Sequence, residues 1–160
     1  MFRELVVAAG LAVVAQAAQA QDATIDFAAG TACSGFDLRV EITFNPNEVV
    51  KTFTDRNGNP VRLLVAGKGN ALVFINLTTG ANLSLKPNGA VEQATLNPDG
   101  SQSVVITGHN IIILAPTDIP AGPSTTLYVG RVAFTATADS MFTLQSTSGK
   151  STDICAALSG

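Results

Sequence analysis

Glycine, proline and asparagine interrupt this chain every few residues, and no stretch between interruptions is long enough for a helical crossover. Arg56-Asn57-Gly58-Asn59 separates residues 49–55 from residues 61–66. Gly67-Lys68-Gly69 precedes residues 71–77, and Thr78-Thr79-Gly80-Ala81 precedes residues 82–86. Pro87-Asn88-Gly89 and Pro98-Asp99-Gly100 bracket residues 91–97. In those two turns proline presets φ and glycine supplies the positive φ of a tight hairpin. Turns at this spacing specify an antiparallel meander of short strands. A parallel βαβ arrangement is excluded, because its crossover needs about a dozen residues or more.

Between the turns, apolar and polar residues alternate. Phe36-Asp37-Leu38-Arg39-Val40-Glu41-Ile42-Thr43-Phe44 is the clearest case, a half-buried strand with one wet face, ended by Asn45-Pro46-Asn47. Residues 103–107 and 110–115 read as two strands divided near Gly108. Residues 91–97 have the weakest apolar face and are expected at a sheet edge. Leu127 and Val129 share one parity, whereas Val132, Phe134 and Ala136 share the other, so a β-bulge is expected at Gly130-Arg131. The last strand is expected at Phe142-Thr143-Leu144-Gln145. The expected fold is all-β: one domain over residues 21–160, an antiparallel meander forming a β-barrel or β-sandwich of about 8–10 strands.

Residues 1–20 read as a signal peptide, removed in the mature protein. Met1-Phe2-Arg3-Glu4 is a short n-region, residues 5–15 are apolar, and Ala18-Gln19-Ala20 is a cleavage signal. The apolar run is too short to span a bilayer, which takes about 20 residues. The longest later apolar run is Ile111-Ile112-Ile113-Leu114-Ala115, so no membrane anchor is expected and the product is expected to be secreted and extracellular. Charge sets a further bound. The whole chain carries 9 − 12 = −3, and removing Arg3 and Glu4 leaves 8 − 11 = −3, which argues against nucleic acid as a partner. With one His, no Trp, one Tyr and two Cys, neither a multi-ligand zinc site nor a disulfide-dense scaffold is available. An exported chain with two cysteines is expected to pair them, so Cys33 and Cys155 read as one disulfide closing a loop of 155 − 33 = 122 residues. The chain-entropy account assigns such a loop about 5 kcal/mol.

Candidate chemistry is sparse. His109 is the only ordinary general base near neutral pH. The nearest downstream acid, Asp118, lies beyond a six-residue strand and thus roughly 20 Å away. There is no G-x-S-x-G, the acids are scattered, and no catalytic residue is assigned. Asp55-Arg56-Asn57-Gly58-Asn59 begins like a calcium loop, but Pro60 and Ala66 stand where glycine and glutamate are required, so no metal or cofactor is expected. Asn76-Leu77-Thr78 and Asn82-Leu83-Ser84 are glycosylation sequons. Asn82 is expected to face solvent, and Asn76 shares the inward parity of Leu72 and Phe74. The stiff segment 116–124 offers Asp118, Ile119, Pro120 and Pro123 as a recognition loop; the alternative is a crossover whose prolines block edge pairing.

The stretch Pro120-Ala121-Gly122-Pro123-Ser124-Thr125-Thr126-Leu127-Tyr128-Val129-Gly130-Arg131-Val132 resembles a family of small secreted proteins of actinobacteria and filamentous fungi. Phe53-Thr54-Asp55-Arg56-Asn57-Gly58-Asn59 and Asp153-Ile154-Cys155-Ala156-Ala157-Leu158 carry the same likeness, which runs from Cys33 to Leu158. The resemblance implies a secreted, compact chain with one disulfide, and it implies no activity and no functional residue.

The expected function is therefore binding without catalysis. The chain reads as a monomeric extracellular interaction protein, effector-like at a host or competitor surface, whose partner is a macromolecular surface or a small apolar ligand. The alternatives are a small-ligand carrier barrel, a barrel isomerase or cyclase using an Asp or Tyr128, and a coat protein self-associating through an edge strand.

Overall fold

The computed structural model describes residues 22–160; the leader expected over residues 1–20 lies outside them. Ten strands follow one another as the turn spacing requires: β1 (Ala23–Phe27), β2 (Leu38–Thr43), β3 (Glu48–Thr54), β4 (Pro60–Gly67), β5 (Ala71–Asn76), β6 (Asn82–Leu85), β7 (Ala90–Leu96), β8 (Gln102–Leu114), β9 (Ser124–Ala136) and β10 (Phe142–Asp153). One helical turn, α1 (Ile154–Ala157), ends the chain. All pairings between these strands are antiparallel. They form a four-stranded sheet, β1-β2-β5-β6, and a six-stranded sheet, β10-β9-β8-β7-β4-β3, neither closed into a barrel.

The three longest strands fold double. A straight strand from Gln102 to Ala115 would span roughly 40 Å at 3.3 Å per residue. Yet the Asp118 carboxylate accepts from the amide of Ala115 at 2.6 Å and from that of Phe142 at 3.0 Å. Phe142 is paired with Ala136, and Ala136 with Gln102. The two ends of β8 therefore come within reach of one side chain, and the strand must turn back. Glycines mark the crease: Gly108, Gly130 and Gly149 stand opposite one another across β8, β9 and β10. A Cβ on Gly108 would sit 2.5 Å from the carbonyl oxygen of Gly89; on Gly130 it would overlap the Ser148 oxygen, and on Gly149 the Val129 oxygen.

Doubling creates two cores on opposite faces of the same strands. The inner cluster holds Ala94, Val104, Ile106, Ile112, Leu114, Val132, Phe134, Ala136 and Phe142, all from the six-stranded sheet, so the sheet packs on itself. Phe134 stacks on Phe142 with ring centres 4.9 Å apart. On the other face, Ile111, Ile113 and Leu127 pack against Phe27, Phe36, Leu38, Val40, Ile42 and Phe74 of the four-stranded layer. The disulfide closes this second core. Cys33 and Cys155 are bonded with Cα atoms 5.6 Å apart, beside buried Ile154 and Leu158. Asp153 caps α1 by accepting from the Ala156 amide.

Four sequence expectations are corrected here. The segments on either side of Gly108 are one strand, because the glycine creases the ladder without breaking it. No bulge occurs at Gly130-Arg131; β9 runs in unbroken register with β8, and the register shift falls between Leu144 and Ser146 of β10. The parity change in β9 instead reflects burial of both faces near Leu127 and of one face near Phe134. Residues 91–97 lie in β7, between β8 and β4, and the edges of the large sheet are β3 and β10. Finally, β10 continues from Phe142 to Asp153, well past Gln145.

Replacing Gly130 with alanine forces a methyl group into the Ser148 carbonyl. Gly130→Ala is expected to lower unfolding free energy by about 3 kcal/mol or more in urea titrations. A loss below ~1 kcal/mol would remove the crease from the account.

Candidate binding surface

The β3–β4 hairpin ends the six-stranded sheet, and the outer edge of β3 has no partner strand among the described residues. Strand alternation sends Glu48, Val50 and Thr52 toward the core side and Val49, Lys51 and Phe53 toward solvent. Register aligns Val49 with Ala66 and Val91 in one row across the solvent face. Val49 is 67% exposed and Val91 40%. Beside that row two cations share one ring: Lys51 Nζ lies 4.9 Å from the centre of Phe53, and Arg62 Cζ lies 4.1 Å from it. Each gains from the ring's electron-rich face. No ion pair is recorded for either among the described residues, in contrast to Arg39, which bonds Asp26 at 2.7 Å.

Charge is unevenly placed. Residues 48–68 contain Lys51, Arg56, Arg62 and Lys68 against Glu48 and Asp55, a balance of 4 − 2 = +2. The rest of residues 21–160 holds 4 − 9 = −5. A basic wing thus stands at the edge of an acidic protein.

The core side of the wing holds a second feature. Glu92 on β7 is 8% exposed, flanked across the ladder by Val65 and Ile106. Its Oε1 has no hydrogen-bond partner. Burial first, and then the charge of Glu48, push its carboxyl up to about 7. Burial also raises Glu48.

The residues singled out from sequence are dispersed. Asp118 is 4% exposed, and its carboxylate is engaged by the amides of Ala115 and Phe142. It is a structural clasp, which corrects its assignment to a recognition surface. Ile119 lends its backbone to the same purpose: its N–H donates to Phe142 and its carbonyl accepts from Leu144, capping the start of edge strand β10. The Ile119 side chain is 54% exposed, Pro120 is exposed and Pro123 half-buried, and the peptide bonds before both prolines are cis. Segment 116–124 thus blocks edge pairing at the start of β10.

Asn76 is 2% exposed; its Nδ2 donates to Leu158 and its Oδ1 accepts from Thr78 and Thr79. A glycan on that nitrogen is incompatible with this fold. Asn82 and Ser84 are exposed. His109 is exposed beside the crease, while Asp118 is buried, so they form no dyad. Asp55 accepts from the amides of Asn57 and Asn59, which fixes the β3–β4 turn. Tyr128 packs against the inner core.

Sequence reasoning missed both Glu92 and the Lys51–Phe53–Arg62 cluster. Residues 51 and 53 on one strand carry a readable period-two signal, but Arg62 joins them only through the hairpin register.

Comparison with protein-family models, with curated proteins and with solved structures finds no match for this chain. The likeness carried by residues 53–59, 120–132 and 153–158 therefore rests on those residues alone.

Two predictions follow from the buried carboxyls. Glu92 holds its proton in the fold up to about pH 7, against an ordinary value of 4.5. The folded state then binds more protons than the unfolded chain between those values, so stability is fullest at or below the lower one and falls as pH rises to the upper. The fall is at most about 3 kcal/mol. In urea titrations from pH 4.5 to 8, Glu92→Gln should flatten this decline and exceed the parent in stability at pH 8. Equal slopes for the two proteins would contradict the burial assigned to Glu92. Asp118→Ala leaves two amides without their charged acceptor and should cost about 3 kcal/mol in the same titration. A neutral result would return Asp118 to the candidate surface residues.

Proposed function

We propose that this protein is a secreted, extracellular binding protein that engages a macromolecular partner through the β3–β4 wing and performs no catalysis of its own. The observation that carries the reading is the wing itself: an unpaired edge strand, an exposed apolar row and two ring-sharing cations, on a chain that is otherwise acidic. Secretion is supported by the leader-like pattern of residues 1–20 and by the single disulfide, which suits an oxidising compartment. No helix of the described residues is long and apolar enough to cross a membrane.

Rival readings find less support. A carrier barrel needs a closed wall, and both sheets are open. An enzyme needs a base beside an acid or nucleophile, and His109 and Asp118 stand in different environments. An effector-like role at a host or competitor surface fits a rigid extracellular scaffold with one basic, apolar edge.

Acylation of exposed lysines in the native culture fluid tests the reading. Lys51, Lys68, Lys86 and Lys150 are all exposed. Relative to the purified protein, Lys51 should label several-fold more slowly in culture fluid that contains the partner, while Lys86 and Lys150 are unchanged. Uniform labelling, or protection centred on Lys150, would move the surface elsewhere or remove it.

A further inference from the structure

We infer that the partner is an extended peptide segment that adds a strand to the open edge of β3 and carries one carboxylate between two apolar residues, in the pattern apolar-x-acidic-x-apolar. This rests on the wing being the binding surface and names what binds there.

Three observations lead to it. An unpaired strand offers a row of main-chain donors and acceptors that only another backbone can match along its length. β3 runs seven residues, and alternate ones turn their N–H and C=O away from β4. The opposite end of the same sheet is treated differently: Ile119 covers the start of β10, and the exposed remainder of β10 is Gln145-Ser146-Thr147-Ser148-Gly149-Lys150-Ser151-Thr152, without an apolar side chain. Of these two uncovered stretches, β3 is the one with apolar residues on its solvent face.

The second observation is the order of side chains along that face. Val49, Lys51 and Phe53 repeat every second residue. An incoming strand in either direction places alternate side chains beside them, with directly opposed Cβ atoms about 5 Å apart. Apolar groups then meet Val49 and Phe53, and the central side chain meets Lys51, which shares the Phe53 ring with Arg62. A carboxylate at that centre completes the charge balance of two adjacent cations that have no ion pair among the described residues.

The third is what the arrangement rejects. Antiparallel self-pairing centred on Lys51 would oppose that residue to its own copy, and like charges directly opposed are destabilising. The same cations that deter a second copy admit an acidic strand, so recognition and protection of the edge share one device.

The test uses the mature protein and synthetic seven-residue peptides, with binding read by fluorescence anisotropy. A Thr-Val-Thr-Glu-Thr-Ile-Thr peptide should bind at least tenfold more tightly than the same peptide with a central lysine. Lys51→Glu combined with Arg62→Glu should invert that preference, and Lys150→Glu should leave it unchanged. N-methylation of the peptide amides on one edge should abolish binding, whereas methylation on the other edge should not; this arm needs no protein variant. A scrambled peptide of equal charge, or a sulfated polysaccharide, binding as tightly as the patterned peptide would overturn strand addition in favour of simple polyanion attraction. Concentration-dependent self-association of the free protein would replace the peptide with a second copy. Lysine protection at Lys51 in culture fluid without patterned peptide binding would retain the binding surface and remove this partner.

Discussion

Close backbone approach at Gly108, Gly130 and Gly149 is the constraint from which the rest of the structure follows. Three strands of 12 or 13 residues would make a flat, aggregation-prone ribbon if they ran straight. Creased at one line, they pack their own two halves together and bury Val104, Ile106, Val132, Phe134 and Phe142 against Ile112 and Leu114 within one cluster. The outer face of the upper halves is then free to receive the four-stranded layer, whose attachment is locked by Cys33–Cys155 and by Asn76 bonding Leu158. Among the described residues, nothing packs over the solvent face of the β3–β4 hairpin, beyond the creased strands.

That wing is held by an unusual neighbour. Glu92 stands in a row with Val65 and Ile106, where an aliphatic side chain would pack better. A buried carboxyl without a partner costs stability in its charged form and is tolerated by retaining its proton. At neutral pH Glu92 sits near the midpoint of that change. The strand that supports the wing is thus weaker in mildly alkaline solution than in mildly acidic solution.

Local chemistry made much of this legible. Pro-Asn-Gly and Pro-Asp-Gly specify turns whatever surrounds them, and the turn spacing led to an all-β antiparallel fold. The only two cysteines could pair in one way within a single chain. Non-local features were hidden. Residues 91–97 looked like an edge because apolar residues are few in them, whereas the strand is central and one of its inward positions is Glu92. The parity change around Gly130 suggested a bulge because one strand cannot report how many layers cover it. The crease needs three glycines far apart in sequence to meet in register. Asp118 looked like a ligand-facing acid because its partners, Ala115 and Phe142, are both main chain. The candidate surface was half visible, in Val49, Lys51 and Phe53, and lacked Arg62 until the hairpin register placed it.

Amide hydrogen exchange, residue by residue, addresses most directly the claim that the start of β10 is capped while β3 is left open along its length. Phe142 and Leu144 donate to Asp118 and Ile119 across the capped edge, so their amides should exchange as slowly as those at the centre of β9. In β3, alternate amides that face away from β4 should exchange at nearly the rate of an unstructured chain. Uniform protection along β3, or rapid exchange at Phe142 and Leu144, would contradict the account.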